Sequence, residues 1–387
     1  MSNTPFYLII RPELAPYRVD FFNDVLAGNP NGRLVFLVHH EDQTFSHDLS
    51  YQRLTAPYAF APFPTAMGRH WAFLGIRAIL RRFQPGIVIT TEYSVISVLF
   101  ALLVRVRPGL KLIVWTDDSA DNLEHDFTWG RRLRRRLVLG AAKALVCCNA
   151  KVRDFYHRQF PGLPVFCSRI LQDPEVVSAA LADARPLAEE IVDRHRLRGK
   201  KVILFVGRLH PVKNLPLLIR AFAAIPESRR ADLMLAIVGD GKLLGALQAL
   251  ARSLGVESSV LFAGQQQGRP LWAWYNVGQV LVLPSINERF GAVVNEALLA
   301  GMPVLCSNRA GAEDLIEPGV NGELIDPQSL PDLCGKLEQA LARTPPIASI
   351  GPRPSRMLHA YRESVQAFLS AIQTTAGAHS AGVEDRP

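Results

Sequence analysis

Residues 201–222 read KVILFVGRLHPVKNLPLLIRAF. The run KVILFVG is continuously apolar, does not alternate, and closes on a glycine, which predicts a strand buried on both faces. LPLLIRAF then reads as the helix that follows. Pro216 suits the first helical turn, and Asn214 reads as the N-cap before it. A doubly buried strand running at once into a helix is the start of a βαβ unit.

Working outward, the pattern repeats. DLMLAIVG (232–239), VLFAG (260–264), QVLVLPS (279–285) and MPVLCS (302–307) follow it with helical stretches between them. Before it lie FYLII (6–10), RLVFLVHH (33–40), GIVIT (86–90), LKLIVW (110–115) and KALVCC (143–148). These are separated by helix-like segments near 18–27, 70–83, 94–105, 129–141 and 150–158. The rhythm weakens at FCSRILQDPEVV (166–177), which reads as a linker. The expectation is an α/β chain of two Rossmann-like halves, the carboxyl ends of their parallel sheets facing each other across a cleft. Residues 1–170 form one domain and 171–350 the other. Residues 351–387 add an amphipathic helix at 355–373, which could pack back on the first domain, and a small, polar, frayed tail.

Bulk properties agree with two folded domains. The chain has 387 residues, half of them hydrophobic. Of its +8 formal charge, +6 falls in residues 1–175, with 21 Lys and Arg against 15 Asp and Glu. An anionic partner is therefore expected at the first half. Five scattered cysteines, Cys147, Cys148, Cys167, Cys306 and Cys334, argue against a disulfide framework or zinc site and fit a reducing cytosol. No signal-peptide pattern opens the chain. The longest apolar run, Val95–Val104, is about half the roughly twenty residues of a membrane span and reads as a buried helix.

Ligand contacts in such folds come from loops at the carboxyl ends of strands. After KVILFVG, Arg208 and Lys213 sit beside a helix N-terminus, as a solvated basic loop or as an anion site. After DLMLAIV comes Gly239-Asp-Gly241, a partial dinucleotide fingerprint whose sixth position is Leu244, with no ribose-binding acid ending the next strand; NAD is not expected. After QVLVLPS, SINERFGAVVNEALLAG (285–301) places Glu288 in a loop and Glu296 inside a helix that stops at Gly301. The free amides of Gly291, Ala292 and Val293 form a phosphate cradle between them. A carboxylate only accepts hydrogen bonds, so each glutamate suits a diol.

These three blocks, in this order and spacing, resemble the GT-B retaining glycosyltransferases of family 4. Glu288-x7-Glu296 matches that family's Glu-x7-Glu signature. The likeness is strong over residues 200–330 and weaker before them. It implies transfer of a hexose-type sugar from a nucleotide-diphosphate sugar, without metal or other cofactor. Arg208 and Lys213 match the pair that neutralises the leaving diphosphate, Glu296 the carboxylate on the ribose, and Glu288 the one near the transferred sugar. Phe290, Gly291, Ala292, Val293, Gly207 and Gly239 fall among the donor-binding positions, and Gln265 where such proteins hold the base. On the acceptor side, Arg11-Pro-Glu-Leu-Ala-Pro-Tyr-Arg18 replaces the usual Gly-rich loop, which leaves Arg11, Glu13 or Arg18 to act through side chains. Asp117 or His125 stands where the family often has an acceptor-side histidine, unless that loop is simply hydrated. The Pro-Tyr-Arg variant resembles some bacterial surface-polysaccharide transferases, which implies a glycan or lipid-linked acceptor. Two rivals keep the same fold: a nucleotide-sugar 2-epimerase and a non-catalytic scaffold.

Two basic stretches remain. WGRRLRRRLVLGAAK (129–143) packs five arginines into six residues, and GRHWAFLGIRAILRRFQPG (68–86) sets Trp71, Phe73, Ile76, Ile79 and Leu80 among arginines. Each is either a solvated face over a core helix or a surface that meets anionic lipid at the inner face of the cell membrane. Nucleic acid is not expected, since no binding motif or stacking platform accompanies the charge. The expected location is cytoplasmic, with or without peripheral membrane attachment.

Overall fold

The computed structural model describes residues 6–11, 14–27, 31–38, 53–62, 69–119, 123 and 128–377. The chain divides into two compact units, one of residues 1–171 with 361–387 and one of 172–360.

In the first unit the described strands are β1 (Tyr7–Arg11), β2 (Gly32–Val38), β3 (Tyr58–Pro62), β4 (Ile87–Thr91), β5 (Lys111–Trp115), β6 (Ala144–Cys147) and β7 (Val165–Cys167). They form one parallel sheet in the order β3-β2-β1-β4-β5-β6-β7. Helices α1 (Val19–Ala27), α2 (Arg69–Phe83), α3 (Val95–Val106), α4 (Trp129–Leu139) and α5 (Ala150–Gln159) connect the strands. The second unit opens with α6 (Pro174–Arg194) and carries β8 (Lys201–Val206), β9 (Leu233–Val238), β10 (Val260–Gly264), β11 (Val280–Leu283), β12 (Val304–Ser307) and β13 (Gly322–Ile325). Their order, β10-β9-β8-β11-β12-β13, is again all parallel.

The inner strands are solid apolar runs because parallel sheets are covered on both faces. Every residue of β6, β9, β11 and β12 is buried, whereas the edge strands β10 and β13 are half open. The helices of the second sheet are α7 (Leu215–Ala224), α8 (Glu227–Arg230), α9 (Leu244–Ser253), α10 (Gly268–Val277), α11 (Ala292–Leu299) and α12 (Leu330–Arg343). Leu215, Leu218, Ile219 and Phe222 of α7 enter the core, three and four positions apart on one helical face.

Four expectations are corrected or refined. Residues 166–177, read as a linker, hold the boundary between the two units but are themselves structured: they contain most of β7, and Asp173 caps α6 by accepting from Glu175 N at 2.8 Å. The last helix, α13, spans Tyr361–Ala376 rather than 355–373, because Arg353 and Arg356 tie the preceding segment to backbone carbonyls of the second unit. Asn214 stands at the N-cap of α7 as expected, but in left-handed backbone (φ 54°), and its side chain donates to Pro327 O at 2.7 Å rather than accepting from the helix amides. Helix α3 is not fully buried: Phe100 and Ala101 face the core while Val95, Leu102 and Val106 are exposed.

Within the first unit, α13 lies against β5, β6, β7 and α1. Phe368 meets Trp115 with ring centroids 4.7 Å apart and Phe21 at 5.3 Å. Tyr361 donates to Asp24 Oδ2 at 2.7 Å, and Ser168 Oγ to Ser364 O at 2.8 Å.

Candidate functional site

In the second sheet, β8 and β11 are neighbours from which the chain winds in opposite directions, β8 towards β10 and β11 towards β13. The loops leaving them therefore diverge, and this switch point is where open α/β sheets hold ligands. Residues 207–214 leave β8 and 284–291 leave β11. Ile286 N donates to Val212 O at 2.9 Å and ties the two loops together.

Lys213 and Glu288 form an ion pair across this tie, their side chains only 14% and 17% exposed. Ser285 Oγ also donates to Glu288 Oε2, at 3.4 Å. The loop after β12 braces Glu288 from the other side. Gly311 N donates to Glu288 O at 3.1 Å and Ala312 N to Phe290 O at 2.7 Å. A Cβ on Gly311 would lie 2.1 Å from Arg289 O, so only glycine allows this approach. Arg208, in the same loop as Lys213, is exposed and makes no ion pair among the described residues.

Gly291 turns the chain into α11 with φ +99°. No side chain caps this helix, which leaves the first amides of Gly291, Ala292 and Val293 as donors at its positive end. Phe290, 4% exposed, anchors the turn in the core rather than presenting a ring at the surface. Glu296 lies further along α11. Its carboxylate accepts from Tyr275 OH and, at 2.8 Å, from Gln172 Nε2. Burial pushes this carboxyl above the usual carboxylate range, and the two donors pull it partly back. Burial, then the charge of Glu296, likewise pushes the Tyr275 hydroxyl up.

The sequence reading missed Tyr275 and Gln172. Tyr275 sits 21 positions before Glu296 on α10, and Gln172 lies in the stretch read as linker. Neither belongs to a motif, so no local signal marks them. Gly207 and Gly239 are close-approach points: Gly207 N donates to Val238 O at 3.0 Å, and a Cβ on Gly239 would meet Gly207 O at 1.9 Å. Gly239 N donates to Gly264 O at 2.8 Å, which carries the edge across to the exposed Gln265.

The first unit gathers a second set of predicted residues at the carboxyl ends of β1 and β5. Arg11 and Arg18 both lie over the Trp115 ring, guanidinium carbons 4.8 and 4.2 Å from its centroid. Asp117 accepts from Arg18 Nη2 at 2.6 Å and stands 3.9 Å from Arg11 Nη2. Arg18 is 2% exposed, so it props Trp115 and Asp117, while Arg11 and Asp117 keep some exposure. Behind them lies a network with no sequence signature. Thr116 Oγ1 donates to Asp118 Oδ2 at 2.8 Å, Tyr156 OH to the same oxygen at 3.4 Å, and the Tyr93 and Tyr156 hydroxyls are 2.5 Å apart. Glu13 and His125 lie outside the described residues.

Of the basic stretches, Ile76, Ile79 and Leu80 on α2 are core residues, which removes them from any surface role. The side chains of Trp71 and Phe73 lie outside the described residues. On α4, Trp129 (77% exposed) and Leu133 (49%) stand among the arginines, and α3 packs alongside with Val106 at 77%. Among the described residues no helix is long and apolar enough to cross a membrane.

Comparison with known proteins follows the same division. Residues 188–352 match the family model of glycosyl transferases group 1. An uncharacterized glycosyltransferase of Methanocaldococcus jannaschii is 37% identical over 143 residues, 37% of this chain and 36% of that protein. A D-inositol 3-phosphate glycosyltransferase of Corynebacterium aurimucosum is 37% identical over 157 residues, 39% of this chain and 37% of that one. The matched stretch thus spans little more than a third of these relatives. Anabaena HepE, solved in complex with UDP and glucose, is similar over 96% of this chain and 94% of its own, with TM-score 0.67 and 17% identity. The fold is that of GT-B glycosyltransferases, two parallel-sheet Rossmann-like domains.

Proposed function

We propose that this protein is a retaining glycosyltransferase of family 4 that moves a hexose-type sugar from a nucleotide-diphosphate sugar to a glycan or lipid-linked acceptor, as in cell-surface polysaccharide synthesis. The observation that carries the reading is the switch-point cluster, where the Lys213–Glu288 pair and the open amides of α11 stand at the ends of β8 and β11, with Arg208 in the same loop as Lys213. The glycosyl transfer named for the relatives and the UDP held by HepE support a nucleotide sugar as co-substrate.

Sugar transfer builds positive charge on the sugar ring and negative charge on the departing diphosphate. Arg208, Lys213 and the N-terminal amides of α11 stabilise the diphosphate, which makes a bound metal unnecessary. A diphosphate competes with Glu288 for Lys213, and release from that pair frees the carboxylate to accept from sugar hydroxyls. Glu296, oriented by Tyr275 and Gln172, accepts from the ribose hydroxyls. The leaving phosphate oxygen takes the acceptor proton on the face it departs from, so configuration is retained. Arg11 and Asp117 on the first unit are the acceptor-side groups.

The exposed Trp129, Leu133, Leu102 and Val106, set among arginines, support attachment to an anionic membrane surface. Such attachment brings a cytoplasmic enzyme to lipid-linked acceptors.

A thermal-shift screen against nucleotide sugars identifies the donor, and transfer kinetics then test the site. Arg208→Ala or Lys213→Ala should lower turnover by about tenfold to a hundredfold, the worth of one charge-assisted contact. Glu296→Ala should chiefly raise the donor KM. Unchanged kinetics in all three variants would refute the assignment.

A further inference from the structure

The second unit has a cavity of about 560 Å³ at the opposite edge of its sheet, away from the switch-point loops. It lies where β11, β12 and β13 begin: Gln279, Pro303 and Gly322 line it, together with Arg343 at the end of α12 and the segment 353–356. Its volume falls within the range of sites that enclose small organic molecules.

The charge in this cavity is unbalanced. Arg343, Arg353 and Arg356 line it against one carboxylate, Glu323, which accepts from Gly319 N at 3.0 Å. None of the three arginines makes an ion pair among the described residues. Arg353 donates to Gly278 O and Tyr275 O, both at 2.5 Å. Arg356 donates to Gly301 O at 3.1 Å and Val320 O at 3.2 Å. Neutral carbonyls fix both guanidiniums without cancelling their charge. Arg356 thereby occupies Gly301 O just past the end of α11, whose dipole would otherwise repel an anion there. Burial, followed by the nearby charge of Arg356, pulls Arg353 down to about 10, so it stays protonated at neutral pH.

We propose that this cavity binds a phosphate-bearing organic small molecule, with Arg343, Arg353 and Arg356 around the phosphate. Guanidinium forks match phosphate oxygens in geometry. Pro303, Val320, Ala340, Pro345 and Pro354 supply apolar wall for the organic body.

The test uses the full chain with glycerol 3-phosphate, inorganic phosphate and glycerol as probes at matched ionic strength. Melting temperature and calorimetric Kd are the readouts. Glycerol 3-phosphate should stabilise the wild type and the Arg208→Ala/Lys213→Ala variant alike, more than inorganic phosphate does, and glycerol should do nothing. In Arg343→Gln/Arg356→Gln, binding should weaken by about tenfold or more. Glu323→Gln leaves the arginines and their carbonyl contacts in place. It should tighten binding by about two- to fivefold, the worth of one partly exposed charge interaction. It decides the matter if the arginine variant does not fold. The proposal is overturned if no probe binds, if inorganic phosphate does as well, if Glu323→Gln changes nothing, or if binding survives loss of the two arginines. Loss of binding in Arg208→Ala/Lys213→Ala overturns it too, since the anion would then sit at the switch point. No readout depends on sugar transfer, so the outcome stands apart from that reading.

Discussion

At the scale of the residue, the two glutamates of the signature lie in different surroundings. Glu288 is balanced by Lys213 within its own loop cluster, whereas Glu296 accepts from two neutral donors and pairs with no cation among the described residues. The difference has a consequence for stability. Burial raises the Glu296 carboxyl above its ordinary 4.5, so the folded state holds this proton more tightly than the unfolded chain. The stability it contributes is complete below the unfolded value and is lost as pH rises through the folded one. Glu296→Gln removes that loss. Melting temperatures across the acid range should show the variant gaining on the wild type as pH rises above about 4.5, and a constant gap would contradict burial as the cause. The pair of glutamates was legible in the sequence at its right spacing. Their partners were not, because Tyr275 and Gln172 reach Glu296 only through packing of α10 and the segment before α6.

At the scale of the element, strands were the easiest feature to read. Doubly covered parallel strands must be apolar throughout, and KVILFV, LMLAIV and VLVL are. The strands that escaped, β3, β7 and β13, are all edge strands and so carry a weaker hydrophobic imprint. Glycine positions between elements are set by backbone contact. Gly239 holds φ +149° with its Cα facing Gly207 O, where a Cβ would sit at 1.9 Å. Gly239→Ala should destabilise the protein by roughly 2–5 kcal/mol through strain and overpacking, read as a lower denaturation midpoint. Gly245→Ala, a helical site with open space around it, should cost nothing or stabilise slightly. Helix α3 shows the limit of reading periodicity alone. VISVLFALLVRV is apolar at ten of its twelve positions, and only the sheet it packs on decides which side stays dry.

At the scale of the whole molecule, the chain leaves the first unit at residue 171 and returns to it at 361. The returning helix places Phe368 against Trp115, the ring that Arg11 and Arg18 also cover. The charge asymmetry belongs to this scale too. Arg131, Arg132, Arg134, Arg135 and Arg136 sit on α4 with the exposed Trp129 and Leu133, beside the exposed face of α3. Sedimentation with vesicles should show binding to anionic but not neutral lipid, falling steeply with salt. Changing three of these arginines to glutamine should weaken it by about 1 kcal/mol for each charge lost near the surface. Indifference to lipid charge would leave α4 a solvated face. What the sequence by itself determined is the α/β class and the tandem repeat of parallel sheets, because strand burial, helix spacing and turn residues are local properties. What only the tertiary structure decided is which side chains meet: Lys213 with Glu288, Tyr275 and Gln172 with Glu296, Arg11 and Arg18 with Trp115, and the arginines of the far cavity. Those contacts join residues tens to hundreds of positions apart, and no local pattern encodes a distance that the packing of sheets and helices alone creates.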